Sequence, residues 1–156
     1  MSDGARKVRV SLTDDQPIGD NIRASLQSFL STLTVPQKVE LAAKGNREVR
    51  LILSRDPSGL VARAVVNGPR ISESDVIAYA GSAQTNEEIL RAIAENPEWS
   101  KNARVKLLLV TNPRTPPAVA LRFLGHLPIS DLNVISRNRN VSPILRREAK
   151  IGRAHV

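Results

Sequence analysis

The stretch "VTNPRTPPAVALRFLG" (residues 110–125) places Asn-Pro, Thr and Pro-Pro between two strongly apolar segments. Asn tolerates the left-handed backbone that closes a helix, and a neighbouring proline cannot continue one. A Ser or Thr a few residues on accepts hydrogen bonds from the free N–H groups of the next helix, and proline fits that helix's first position. "NPRTPP" therefore reads as a stop, a tight corner and a start. Asn112 ends one helix, and Thr115 with Pro116 and Pro117 begins the next.

The same grammar recurs along the chain. Asp56-Pro57, Gly68-Pro69, Asn96-Pro97 and Asn112-Pro113 stand at helix exits, with Ser82 and Asn138 in equivalent places without the proline. Four residues after most of these anchors comes a residue that caps or starts a helix: Ser72, Asn86, Ser100, Pro116, Ser142. The anchors are spaced 12, 14, 14, 16 and 26 residues apart. The last spacing is two units, because "GHLPIS" at 125–130 supplies an intervening break with Ser130 as its cap. A unit of this size holds a helix of roughly eight or nine residues, about 13 Å long, and a corner.

Between corners the apolar residues fall at helical spacing: Val61, Val65 and Val66; Ile89, Leu90 and Ile93; Val119, Leu121, Phe123 and Leu124. Helices this short do not persist alone and need stacked neighbours. Repetition with mutual dependence predicts an all-α fold, a short α-solenoid of stacked short helices. The alternative, a globular bundle, prefers fewer and longer helices.

Composition agrees with helix packing. The apolar fraction is 41% but aromatics are only 3%, so Leu, Val, Ile and Ala must build the core. The absence of cysteine excludes disulfides, thiol catalysis and thiolate-bound metal. No apolar run approaches the length of a membrane span, and "MSDGARKVRVSLTDD" carries charge where a signal peptide needs an apolar core. A cytoplasmic protein is expected, and the sequon Asn140-Val141-Ser142 reads as turn chemistry.

Residues 1–19 lack periodicity and read as a disordered or loosely attached tail. Within them "VRVSL" (8–12) alternates like a strand without a partner. Residues 20–151 form the predicted repeat domain, and 152–156 a C-terminal tail. In the first helix, 20–33, Ile22, Leu26, Phe29, Leu30 and Leu33 share one face. That helix either covers the first repeat, as terminal caps of solenoids do, or docks into a partner's groove. A second helix runs from Pro36 to Gly45, and "NREVRLILSRD" opens the array.

"VARAVVNGPRISESDVIAYA", "ILRAIAENPEWSKNARVKLLLVTNPRTPPAVALRFL" and "DLNVISRNRNVSPILRREA" resemble the short bacterial α-helical repeats of the leucine-rich repeat variant and HEAT-like class, over about residues 34–151. The resemblance implies a curved right-handed array whose surface binds other macromolecules. The iron–sulfur domain of some leucine-rich repeat variant proteins needs cysteines that this chain lacks. The pocket of HEAT-like DNA-repair glycosylases has no matching set of aromatic and acidic residues here.

Catalysis needs convergent titratable groups, and few are offered. His126 sits in a corner beside Leu127 and Pro128, where a hydrogen-bonded structural histidine is expected, and His155 is next to the last residue. Two histidines without nearby carboxylates make no metal site of standard spacing. Glu87 and Glu88 occupy a first helical turn, where negative charge suits the dipole. No phosphate-cradling glycine loop is present. The expectation is a protein that is not an enzyme and has no cofactor and no metal. Trp99, the only tryptophan, is expected to plug the gap between corners.

The net charge of +8 is unevenly spread. Residues 1–100 hold 12 Lys/Arg against 13 Asp/Glu, whereas residues 101–156 hold 11 against Asp131 and Glu148 alone. Arg114, Arg137 and Arg139 lie in or beside corners, and Arg146, Arg147 and Lys150 crowd the last helix. Equivalent corners of a solenoid stack on one edge, so Arg114 and Arg139, with Arg70 in an earlier unit, are candidates for a cationic ridge. Arginine recognises carboxylate and phosphate in planar, bidentate geometry. These six residues are the candidate binding surface. The expected function is a protein–protein adaptor or scaffold that binds a protein partner, and an acidic protein would suit the ridge. The alternative is sequence-nonspecific binding of nucleic acid by the same basic face, and a solvated face that only keeps the protein soluble accounts for the charge equally.

Overall fold

The computed structural model describes residues 10–154, with side chains through 152, and every regular element among them is an α-helix. In chain order these are α1 (Asp20–Ser31), α2 (Val35–Lys44), α3 (Arg47–Leu53), α4 (Gly59–Val66), α5 (Glu73–Gly81), α6 (Glu87–Glu95), α7 (Pro97–Ser100), α8 (Ala103–Thr111), α9 (Pro117–Leu124), α10 (Ile129–Arg137) and α11 (Pro143–Ala154). Helices pack against neighbours next but one as well as next in line. α1 meets α3, α3 meets α5 and α5 meets α8, while α2 meets α4 and α4 meets α6. Towards the C-terminus α8 lies on α9, α9 on α11, and α10 on α11.

One continuous core runs through these contacts, from Leu26 and Leu30 through Val49, Val61, Val76, Ile89 and Leu109 to Ile135 and Ala149. Its members are mostly β-branched or small, and they allow short helices to approach closely. At Gly45, which ends α2, an added Cβ would lie 2.6 Å from Val49 Cγ1 and 2.7 Å from the Leu41 carbonyl oxygen. Only glycine fits that approach.

Asn112 ends α8 as its context predicts, but not through left-handed backbone. Its φ of −74° and ψ of 123° are extended, and no described residue has a positive φ. The amide side chain explains the residue instead. Its Oδ1 accepts from the Arg114 N–H at 2.9 Å, and its Nδ2 donates to the Ala80 and Ser82 carbonyls at 2.7 and 2.9 Å. Asn86 repeats the device: Oδ1 accepts from the Glu88 N–H, and Nδ2 reaches the Asp56 carbonyl at 2.7 Å. At Asn46, Oδ1 accepts from the Val49 N–H, and Nδ2 reaches the Ser11 and Asp14 carbonyls. All three side chains are buried, and each satisfies backbone groups of two segments about thirty residues apart.

Several caps differ from those expected. Ser72 forms a full capping box with Asp75, Asn86 caps α6, and Ser142 Oγ accepts from the Leu145 N–H at 3.4 Å. Ser100, by contrast, is the last residue of α7, and Asn102 caps α8 by accepting from the Arg104 and Val105 N–H groups. The reason is that Asn96 both ends α6 and caps a short extra helix. Thr115 does not cap α9, because Pro116 occupies that position and the Thr115 hydroxyl is buried without a partner. Ser130 lies inside α10, which Pro128 precedes.

The segment 10–19, expected to be loosely attached, is fastened at several points. The Asn46 and Arg47 N–H groups donate to the Leu12 carbonyl and to Asp15 Oδ1, and Leu12 and Ile18 pack on the core. No strand forms at residues 10–12. The first part of the expected tail, residues 1–9, and His155 lie outside the described residues. At the other end α11 continues to Ala154, past the expected start of the C-terminal tail at 152.

Candidate anion-binding surface

Every ion pair among the described residues lies between Asp15 and Arg91. Five of them show how this fold uses charge structurally. Arg50, buried in α3, donates to the Gly45 carbonyl at 2.8 Å and to Asp75 Oδ2 at 2.9 Å. Lys38 meets Asp56 at 2.6 Å in a largely buried pair. Glu88 joins Arg63 and Arg91, and Glu87 joins Arg91, which accounts for the acidic pair at the start of α6.

Arg70 belongs to this structural group and not to a free cationic ridge. It donates to the Thr13, Lys44 and Gly45 carbonyls and lies 3.9 Å from Asp15. Its acceptors come from segments distant in sequence, so local spacing gave no sign of them. Tyr79 lies by the Arg50–Asp75 pair with its hydroxyl buried and without a hydrogen-bond partner among the described residues. Burial, with the Asp75 charge adding to it and Arg50 opposing, pushes its phenol well above the ordinary value of 10.0.

The C-terminal third is arranged differently. No ion pair neutralises Arg114, Arg137, Arg139, Arg146, Arg147 or Lys150 among the described residues. Arg114, Arg137, Arg139, Arg147 and Lys150 are exposed, and Arg146 is half-buried. Two adjoining clefts gather four of the six. One, of about 440 Å³, runs between the corner after α8 and the corner before α11, and Arg139 and Arg146 line it with Asn140 and Ser142. The other, of about 320 Å³, is formed by Ser136, Pro143, Arg146, Arg147 and Lys150. Arg146 and Pro143 belong to both.

Arg114 and Arg137 line neither cleft. Arg114 follows Asn112 and Pro113, which do, and so stands beside the rim. Arg137 closes α10 on its exposed side. No carboxylate among the described residues lines either cleft. Glu148 instead borders an apolar groove with Leu121, Ile144 and Ile151, and Asp131 sits in the first turn of α10. Helical phase produces this separation: Arg146, Arg147 and Lys150 share one arc of α11, while Ile144, Glu148 and Ile151 share another. Sequence reading missed Asn140 as a cleft residue, taking it for turn chemistry alone. Its place two residues after the Asn138 anchor was the available signal.

The remaining candidates are dispersed. His126 is exposed in the turn after α9, and its imidazole makes no hydrogen bond among the described residues, contrary to the structural role expected. Trp99 is half-buried against the core. No group of three or more His, Asp or Glu that would hold a metal ion occurs among the described residues. No helix among them is long and apolar enough to cross a membrane. No family model, curated sequence or solved structure matches the chain.

Proposed function

We propose that the chain is a non-enzymatic adaptor, an α-solenoid whose C-terminal third binds an acidic protein partner. The next-but-one packing of α1 through α6, continued by α5 against α8, and the asparagine links between corners support the solenoid reading. The observation that carries the function is the charge partition among the described residues: their ion pairs are confined to residues 15–91, and two clefts at the other end are lined by cations and by none of the described carboxylates. A surface that leaves its cations unpaired attracts an anionic partner and speeds its encounter.

Nucleic acid is the less favoured partner because stacking platforms are missing from this surface. Phe123 and Tyr79 are buried and Trp99 is half-buried, so single-stranded bases find no exposed ring beside the clefts. Fluorescence anisotropy tests the choice with a labelled glutamate-rich peptide, a DNA duplex and a single strand, at low and physiological salt. The acidic peptide binds, and reversing Arg147 and Lys150 to Glu abolishes binding without changing the helical circular dichroism spectrum. Duplex binding tighter than peptide binding, lost in the same variant, would overturn the assignment in favour of nucleic acid.

A further inference from the structure

We propose that the cleft lined by Arg139 and Arg146 is a receptor for a single oxyanion-bearing side chain, carboxylate or phosphoryl, on an extended segment of the acidic partner. This rests on the adaptor reading and goes beyond it, because it replaces a diffuse basic face with one defined pocket.

Arg146 is the first ground. Its Nε is buried without an acceptor, and its side chain makes no hydrogen bond or ion pair among the described residues. Arg50 also leaves its Nε unbonded, but its two terminal nitrogens are held by Gly45 and Asp75. A half-buried guanidinium without an anion costs stability, and no described residue offsets that cost. An incoming oxyanion would supply the missing partner.

The second ground is the shape and chemistry of the walls. Volumes of roughly 300–1,000 Å³ suit a small organic group, and the cleft's 440 Å³ exceeds what a lone ion needs. Val110, Val141 and Leu145 line it beside the two arginines, so an aliphatic stem has apolar wall to pack on behind its charged head. Asn140, whose side chain makes no internal hydrogen bond, and the Ser142 hydroxyl, which spends only its acceptor on the Leu145 N–H, add neutral donors. Two guanidinium forks with neutral donors between them suit a planar or tetrahedral oxyanion.

Isothermal titration of the full chain distinguishes the pocket from a diffuse field. The probes are a peptide with one central glutamate, its phosphoserine counterpart, its glutamine counterpart and inorganic phosphate. Arg139→Gln and Arg146→Gln each weaken the charged peptides roughly tenfold or more, the loss expected for a charge-assisted hydrogen bond. Arg104→Gln, which removes the same charge from an exposed position on α8, changes affinity by no more than about twofold. Arg146→Lys restores only part of the loss, because an ammonium lacks the fork. Arg139 is exposed, so its variant folds even if Arg146→Gln does not.

The two oxyanion sources separate by pH. The phosphoserine peptide tightens from pH 5 to 7 as its second proton leaves near pKa 6, whereas the glutamate peptide stays flat above about pH 5. Equal losses in Arg104→Gln, Arg139→Gln and Arg146→Gln would overturn the pocket and leave the acidic-partner reading intact. Binding of inorganic phosphate as tight as that of the peptides would overturn the role of the stem. Failure of every charged peptide to bind the unaltered chain would overturn both readings.

Discussion

Arg50 and Arg146 occupy opposite electrostatic situations on one scaffold. Arg50 is 4% exposed and shares Asp75 with the Ser72 cap, so the buried pair and the more exposed capping box are one network. Arg50→Met removes the buried partner of the Asp75 carboxylate, which keeps the more exposed Arg47 at 3.6 Å and the Ser72 donors, and lowers stability by about 2–3 kcal/mol, read from urea denaturation. Arg50→Met combined with Asp75→Asn recovers part of that loss, and an unaltered midpoint in the single variant would contradict the assignment. Tyr79 makes a second prediction from the same neighbourhood. Its phenol is held above the ordinary value, so its contribution is intact below pH 10 and is lost as pH rises past 10 towards the higher folded value, because the unfolded chain loses the proton first. Tyr79→Phe flattens this alkaline fall, and near pH 7 it costs little because the buried hydroxyl has no partner to lose. Such residue-level detail was only partly legible in the sequence. Asn112 was correctly placed at a helix end, but for its backbone tolerance, when the decisive property is an amide that reaches carbonyls about thirty residues away. Arg70 was grouped with the free cations for the same reason: its acceptors are remote in the chain.

Helices of seven to twelve residues, apart from the four-residue α7, leave a large share of their backbone groups at the ends, so capping matters more here than in long helices. Asn102 accepts from two N–H groups of α8, at 2.9 and 3.2 Å, and Asn102→Ala lowers stability by about 1–2 kcal/mol. Ser142 makes one long bond on an exposed corner, and Ser142→Ala costs about 0.5–1 kcal/mol. Ser100→Ala, at the end of α7, changes stability by no more than about 0.5 kcal/mol. Thermal denaturation of the three variants checks that order, and a Ser100→Ala loss equal to that of Asn102→Ala would return the cap to Ser100. The period of the corners was legible because proline and asparagine mark helix exits wherever they fall. The extra helix α7 was not, because Asn96-Pro97 carries both an exit signal and an entry signal, and spacing alone does not tell one corner from two.

Among the described residues the ion pairs and the unpaired cations occupy different ends, and this makes salt act unequally along the chain. The screening length falls from about 30 Å at 0.01 M salt to about 8 Å at 0.15 M. Repulsion among the cations of α10, α11 and the corner between them operates fully at the lower concentration, with only Asp131 and Glu148 to offset it. The Lys38–Asp56 and Arg50–Asp75 pairs, largely withdrawn from solvent, are screened far less. Amide hydrogen exchange therefore slows in α10 and α11 as sodium chloride rises over that range, while α2 through α4 change little. A glutamate-rich peptide added at low salt slows exchange in the same two helices and in the corner after α8, since it supplies as a ligand the negative charge that this end of the fold lacks. Uniform slowing along the chain would reveal a general salt effect on burial. Faster exchange in α10 and α11 on adding salt would mean that attraction, not repulsion, dominates there. The charge surplus behind this prediction was legible in the sequence, whereas the meeting of Arg139 with Arg146 was not, because it depends on how the corner before α11 turns.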